Sequence, residues 1–251
     1  MLSRHDTTWH EARCVPPLRD GALHVWRVPI DIRPAEAAAL CDIVLDAGEQ
    51  GRARRFVRDQ RRLFVAARAA LRILLAHCVG GLAPDPQSIA LGYAASGKRY
   101  LADHAAGLQF SVSHVEAMAL FAFSACGATG VDVERVDERL DVDAIGTRVL
   151  TPFECTRMES SNQNKREFFF SCWTRKEAQL KMTGGGLNVD CRRVEVYPEA
   201  CTSRDEQRPY VRAIAMLAPF VAAVACEREP ISFACWSGAY LLTRSGRLVP
   251  L

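Results

Sequence analysis

Fifteen residues pass without a charge between Ala117 and Val131, and then the pattern changes period. From Gly130 the chain reads GVDVERVDER, with Val131 and Val133 alternating against Asp132 and Glu134. Such alternation predicts a half-buried strand. Residues i and i+2 of a strand project to the same side, about 6.6–6.8 Å apart. The valines are expected to pack inward and the two carboxylates to share the other face. Two acids so placed repel unless water or a cation lies between them.

The same reading along the rest of the chain predicts alternating strands and helices. ALHVWRVPIDI (Ala22 to Ile32) reads as a strand, with a helix starting after it at Pro34. An amphipathic helix is expected from about Arg54 to Cys78, ended by Gly80 and Gly81. LQFSVSHVEAMALFAFS and GVDVERV read as successive strands joined by a glycine-containing turn, with His114 starting the strand that leads to the carboxylates. KREFFFSCWTRKEAQLKMTGGG is a helix with a glycine stop, and RVEVYP, YVRAIAML, FVAAVACE and ISFACW alternate as strands. AMALFAFS and FVAAVACE echo one another, each closing a segment with helices ahead of it, which hints at two related α+β lobes.

Composition adds bounds. The 251 residues fit one large domain or two smaller ones. The uncharged run is too short and too glycine-broken for a membrane span, and the N-terminal residues lack a signal-peptide core, so a cytoplasmic location with no membrane partner is expected. Ten cysteines are scattered without metal-ligand spacing and read as structural thiols. Net charge is +3, yet Arg52 to Arg72 holds eight arginines and one acid, +7, leaving −4 for the remainder (3 − 7). With few interleaved aromatics and an acidic balance elsewhere, this basic stretch is not expected to bind nucleic acid.

The chemistry centres on carboxylates. A helical period of 3.6 puts Phe169, Phe170, Trp173, Glu177 and Leu180 on one broad face with Lys181 at its edge. Lys176 lies near the same edge, open to solvent. Glu177 on an apolar face needs a partner; Lys181 at i+4 is one, a shared cation another. The pair Asp132 and Glu134 is equally open to two readings, a solvated strand face or a ligand pair. Taken together, Asp132, Glu134 and Glu177 suggest a Mg²⁺ site that shares its shell with phosphates. His114, Lys98 after the glycine of ASGKRYL, and the arginines at 52, 54, 55, 58, 61 and 62 would supply positive charge; alone, each reads as an ordinary structural or surface residue.

In order along the chain, ARRF, SGKRYL, FSVSH, GVDVE and WTRKEAQLKMTGGGL resemble the Sfp-type 4′-phosphopantetheinyl transferases, over about residues 50 to 190. The resemblance implies an α+β fold of two similar α/β lobes with pseudo-two-fold symmetry, residues 1–125 and 126–251, and an active site at the lobe interface. It implies transfer of 4′-phosphopantetheine from coenzyme A to a serine hydroxyl of an apo acyl or peptidyl carrier protein, with release of adenosine 3′,5′-bisphosphate. By motif, Asp132, Glu134 and Glu177 would hold Mg²⁺, or Mn²⁺ in its place, on the pyrophosphate. Lys181 and His114 would contact phosphates with Ser113 beside them. Lys98, Arg52 and one or more of Arg55 and Arg62 would bind the nucleotide end and its 3′-phosphate. Glu177 is also the candidate acceptor of the serine proton. A monomer is expected, because two lobes in one chain can build a site that smaller relatives assemble between subunits. Three positions depart from the family pattern: Val115 after the histidine, Arg99 after the Gly-Lys, and Gly185 in the glycine loop. The competing reading is a non-catalytic carrier-protein or nucleotide-binding module on the same scaffold.

Overall fold

A computed structural model describes residues 7–79, 85–102, 107–160, 164–185, 189–196 and 209–242. Over these residues the chain is a mixed α+β protein. Its strands are β1 (Trp9–Glu11), β2 (Ala22–Pro29), β3 (Leu91–Tyr93), β4 (Arg99–Leu101), β5 (Gln109–Val115), β6 (Met118–Ser124), β7 (Thr129–Arg135), β8 (Tyr210–Ile214), β9 (Phe220–Cys226) and β10 (Ser232–Ser237). The helices are α1 (Pro34–Val44), α2 (Ala47–Ala53), α3 (Arg58–Cys78), α4 (Val142–Val149), α5 (Pro152–Ser160) and α6 (Lys165–Thr183).

The strands form a five-stranded sheet in the order β1-β10-β2-β6-β5, a three-stranded sheet β7-β9-β8, and the small pair β3-β4. Within the first two sheets, β2-β6-β5 and β7-β9-β8 are antiparallel triples of the same order, first strand, third strand, second strand. The two segments that echo one another in sequence are the middle strands, β6 and β9, and both are buried almost throughout. A long helix lies between the first and second strand of each triple, α3 in one and α6 in the other. β10 returns from the C-terminal part of the chain to run parallel between β1 and β2.

Three elements differ from the sequence reading. The arginine-rich helix does not start at Arg54: α2 ends there, Val57 is extended (φ −68°, ψ 161°), and α3 begins at Arg58. The break lets Phe56 fold back onto Phe64, ring centroids 5.0 Å apart. The glycines expected to end α3, Gly80 and Gly81, lie outside the described residues. RVEVYP forms no strand over its described part; Cys191–Arg193 is a 3-10 turn, and the backbone after it bonds to side chains instead of a neighbouring strand. His114 does not start the strand leading to the carboxylates. It lies near the end of β5, which reverses through Glu116 (φ 48°) into β6.

Candidate active site

β7 is not half-buried. Val131 and Val133 are enclosed on one side, and on the other Asp132 is only 3% exposed because α6 lies against it. Gly130 permits that approach: a Cβ there would stand 1.9 Å from the Ala178 carbonyl oxygen and 2.5 Å from the Met182 nitrogen. Across β7 from its partner β9 runs β5, joined to it by serines. Ser111 accepts from the Val131 amide at 3.1 Å, and Ser113 donates to Asp132 Oδ1 at 2.9 Å. Lys181, from the last turn of α6, donates to the same Oδ1 at 2.7 Å and to Ser113 Oγ at 2.9 Å. So Lys181 pairs with Asp132 on the facing strand, and not with Glu177 on its own helix, which was one of the two partners open to that carboxylate.

Glu134 and Glu177 stand half-buried beside this knot, and Glu134 accepts from the Trp173 indole at 3.2 Å. Desolvation first, then repulsion from Asp132, pushes both carboxyls above the usual carboxylate range, with Lys181 opposing. Asp132 Oδ2 is buried and finds no hydrogen-bond partner. An orphaned carboxylate oxygen and two carboxylates repelled by it, with no thiol or imidazole among them, fit a hard divalent cation by donor chemistry. Among the described residues, however, no three Asp, Glu, His or Cys side chains are gathered at ligand distance. The Lys181 ammonium answers Asp132 on one oxygen.

Beyond Lys181 the floor opens into a cleft of about 260 Å³ lined by Ser96, Lys98, Arg99, Phe110, Lys181 and Gly184 among others. Lys98 is turned into backbone: its ammonium donates to the carbonyls of Thr129 (3.1 Å) and Met182 (2.6 Å), capping the C-terminus of α6, and burial lowers its pKa. Gly184 ends that helix in the left-handed conformation (φ 73°). His114 is exposed near the end of β5. Desolvation of its inner side, and then the Lys181 ammonium, lowers its pKa below the ordinary imidazole value.

The arginines sort into different roles. Arg62 is engaged away from the cleft, with Asp31 and the Ile32 carbonyl. Arg55 is exposed on the turn after α2. Arg52 stacks over Phe64 at 5.6 Å, and Arg68 covers the same ring at 5.3 Å. Arg68, 6% exposed, is held down to about 10 by desolvation and then by Arg99, with Arg52 adding to the repulsion. Arg99 has a buried Nε without a partner and lies over Tyr93. Arg52, Arg68 and Arg99 therefore crowd together, with Glu49 answering Arg68 at 3.7 Å and opposing the repulsion. Sequence reasoning missed Arg68; its signal was an arginine at i+4 from Phe64 on the core-facing side of α3. Lys176 was also misread. It is fully buried, 2.8 Å from an equally buried Glu154, because α5 brings that carboxylate over the face left open by periodicity alone.

No helix among the described residues is long and apolar enough to cross a membrane. The family model described as the 4′-phosphopantetheinyl transferase superfamily matches residues 128–226, which begin just before β7 and end with β9. Among curated proteins the chain is similar to the 4′-phosphopantetheinyl transferase HetI of Nostoc sp. (strain PCC 7120), 34% identical over 169 residues, 66% of this chain and 70% of the relative. It is also similar to slr0495 of Synechocystis sp. (strain PCC 6803), to which the same activity is provisionally assigned, 33% identical over 167 residues and 65% of each chain.

Proposed function

The chain belongs to the 4′-phosphopantetheinyl transferase superfamily, and from that premise we propose that it transfers 4′-phosphopantetheine from coenzyme A to a serine hydroxyl of an apo acyl or peptidyl carrier protein, dependent on Mg²⁺ and releasing adenosine 3′,5′-bisphosphate. It acts as a monomer of the two-lobed Sfp type. The two antiparallel triples of equal order support reading residues 1–125 and 126–251 as lobes related by a pseudo-two-fold axis, with the site where β5 meets β7.

The observation that carries the reading is Asp132, buried between α6 and β5, with one oxygen held by Lys181 and Ser113 and the other without a partner. Asp132, Glu134 and Glu177 would hold the cation, which when bound supplies Lewis-acid neutralisation of the pyrophosphate. Lys181 spends two of its three protons on Asp132 and Ser113, leaving one for a phosphate oxygen. His114, exposed near the end of β5, would offer a hydrogen bond to a phosphate oxygen. Arg52, Arg68 and Arg99 would hold a phosphate monoester, which adds a second anion to the Glu49 that already answers Arg68. In the transfer, a bond forms between the carrier serine Oγ and phosphorus, the pyrophosphate P–O bond to the nucleotide breaks, and the serine proton passes to Glu177. Preorganised charge and positioning account for the acceleration.

Incubation with coenzyme A, Mg²⁺ and a panel of apo carrier proteins, read by intact mass, tests this. One phosphopantetheine added to a carrier is expected, lost with a chelator and reduced at least about 10²-fold by Asp132→Ala. Coenzyme A binding with no carrier modified would favour the non-catalytic module. No coenzyme A binding would refute the transferase reading.

A further inference from the structure

The fully enclosed Lys176 uses all three of its protons: on Glu154 Oε2 at 2.8 Å, on the Cys191 carbonyl at 2.9 Å and on the Val194 carbonyl. Glu154 also accepts from the Thr151 amide at 2.9 Å and, through Oε1, from the Val196 amide at 2.9 Å. Thr151 caps α5 reciprocally, accepting from the Glu154 amide at 3.1 Å, and donates to Glu195 at 2.6 Å. One ion pair thus ties three pieces of backbone together: the start of α5, the middle of α6, and the segment Asp190–Val196.

A pair this deep adds little stability. Desolvation of the two charges roughly cancels their attraction, and apolar residues of the same volume often serve as well. Apolar residues cannot supply direction, and direction is what this place demands. The segment Asp190–Val196 has no strand ladder, so its buried carbonyls and amide need polar partners at fixed points. The pair provides them one residue before Glu177. One turn earlier on α6, Trp173 makes its hydrogen bond to Glu134.

We propose that Glu154 and Lys176 are a positioning pair: they fasten the Asp190–Val196 segment and the start of α5 to α6, and thereby fix the direction of Glu177 and the contact of Trp173 with Glu134. The inference rests on the reading of Glu134 and Glu177 as cation ligands.

The double variant Glu154→Gln/Lys176→Met tests it, because it removes both charges together and strands neither. Its melting temperature is expected within about 4 °C of the parent's. Mn²⁺ affinity in the presence of coenzyme A, read by electron paramagnetic resonance, should fall about 10- to 100-fold. The Trp173 indole N–H resonance, assigned with Trp173→Phe, should shift. A folded double variant with the parent's Mn²⁺ affinity and indole resonance overturns the proposal. A parent that binds no Mn²⁺, but whose indole resonance still moves in the double variant, upholds the positioning and overturns the cation reading. If the double variant does not fold, Thr151→Ala, which loosens the same tie without stranding a charge, takes its place. A several-fold loss of Mn²⁺ affinity is then expected, and an unchanged protein overturns the proposal.

Discussion

His24 shows how far one side chain can carry the pH response of the fold. It lies 8% exposed in β2, edge-on to Trp236 at 5.9 Å, with Nδ1 lacking a partner. Desolvation lowers its pKa to about 4 from an ordinary 6.5. The folded protein therefore holds this ring neutral where the unfolded chain would protonate it. Its contribution to stability is fully present above pH 6.5, declines as pH falls, and is gone below about 4. The drop amounts to at most about 3 kcal/mol. Urea unfolding at pH 7, 5.5 and 4.5 should show a falling midpoint in the parent and a flatter series in His24→Phe; parallel series would refute the assignment.

Among the elements, α6 governs the site, and Gly130 governs α6. Helix backbone and strand backbone touch there, so Gly130→Ala must push β7 away from α6 and draw Asp132 from Lys181. A loss of about 3 kcal/mol or more is expected, measured by urea unfolding, together with loss of turnover; a variant of parental stability would mean the approach is looser than described. The glycine was legible in the motif GVDVE, but its reason was not, since the contact is with a helix some fifty residues on. The same limit explains the other misreadings. Hydrophobic period located β2, α1, α6, β8, β9 and β10 because their apolar stripes are local. It carried one helix across Arg54–Val57, where nothing in composition marks a break and the cause is the packing of Phe56 on Phe64. It made RVEVYP a strand and Lys176 a surface residue, because Glu154 joins them from another element. Asp132, Glu134, Glu177 and Lys181 were legible as a set; that Lys181 faces Asp132 required knowing that β7 lies under α6.

At the scale of the whole molecule, β10 matters most. Its Cys235 and Trp236 sit opposite Val25 and Trp26, so a C-terminal strand completes the sheet that the N-terminal strands begin. Ser111 and Ser113 bind β5 to β7 from the other side. The N-terminal and C-terminal strands are thus joined twice, at β2–β10 and at β5–β7, and the chain is expected to unfold in one cooperative transition. Far-ultraviolet circular dichroism and tryptophan fluorescence should give coincident denaturation curves; two separated transitions would contradict the coupling.

The place of β10 also sets an order in time. During synthesis β2, β5 and β6 emerge long before residues 232–237, and until those residues arrive one side of β2 has no neighbour. A bare strand edge is a template for wrong pairing with other chains. Translation that stops just after β9 would leave the family-matched region intact and yet release an adhesive product. β10 is therefore what protects the nascent protein from its own beginning.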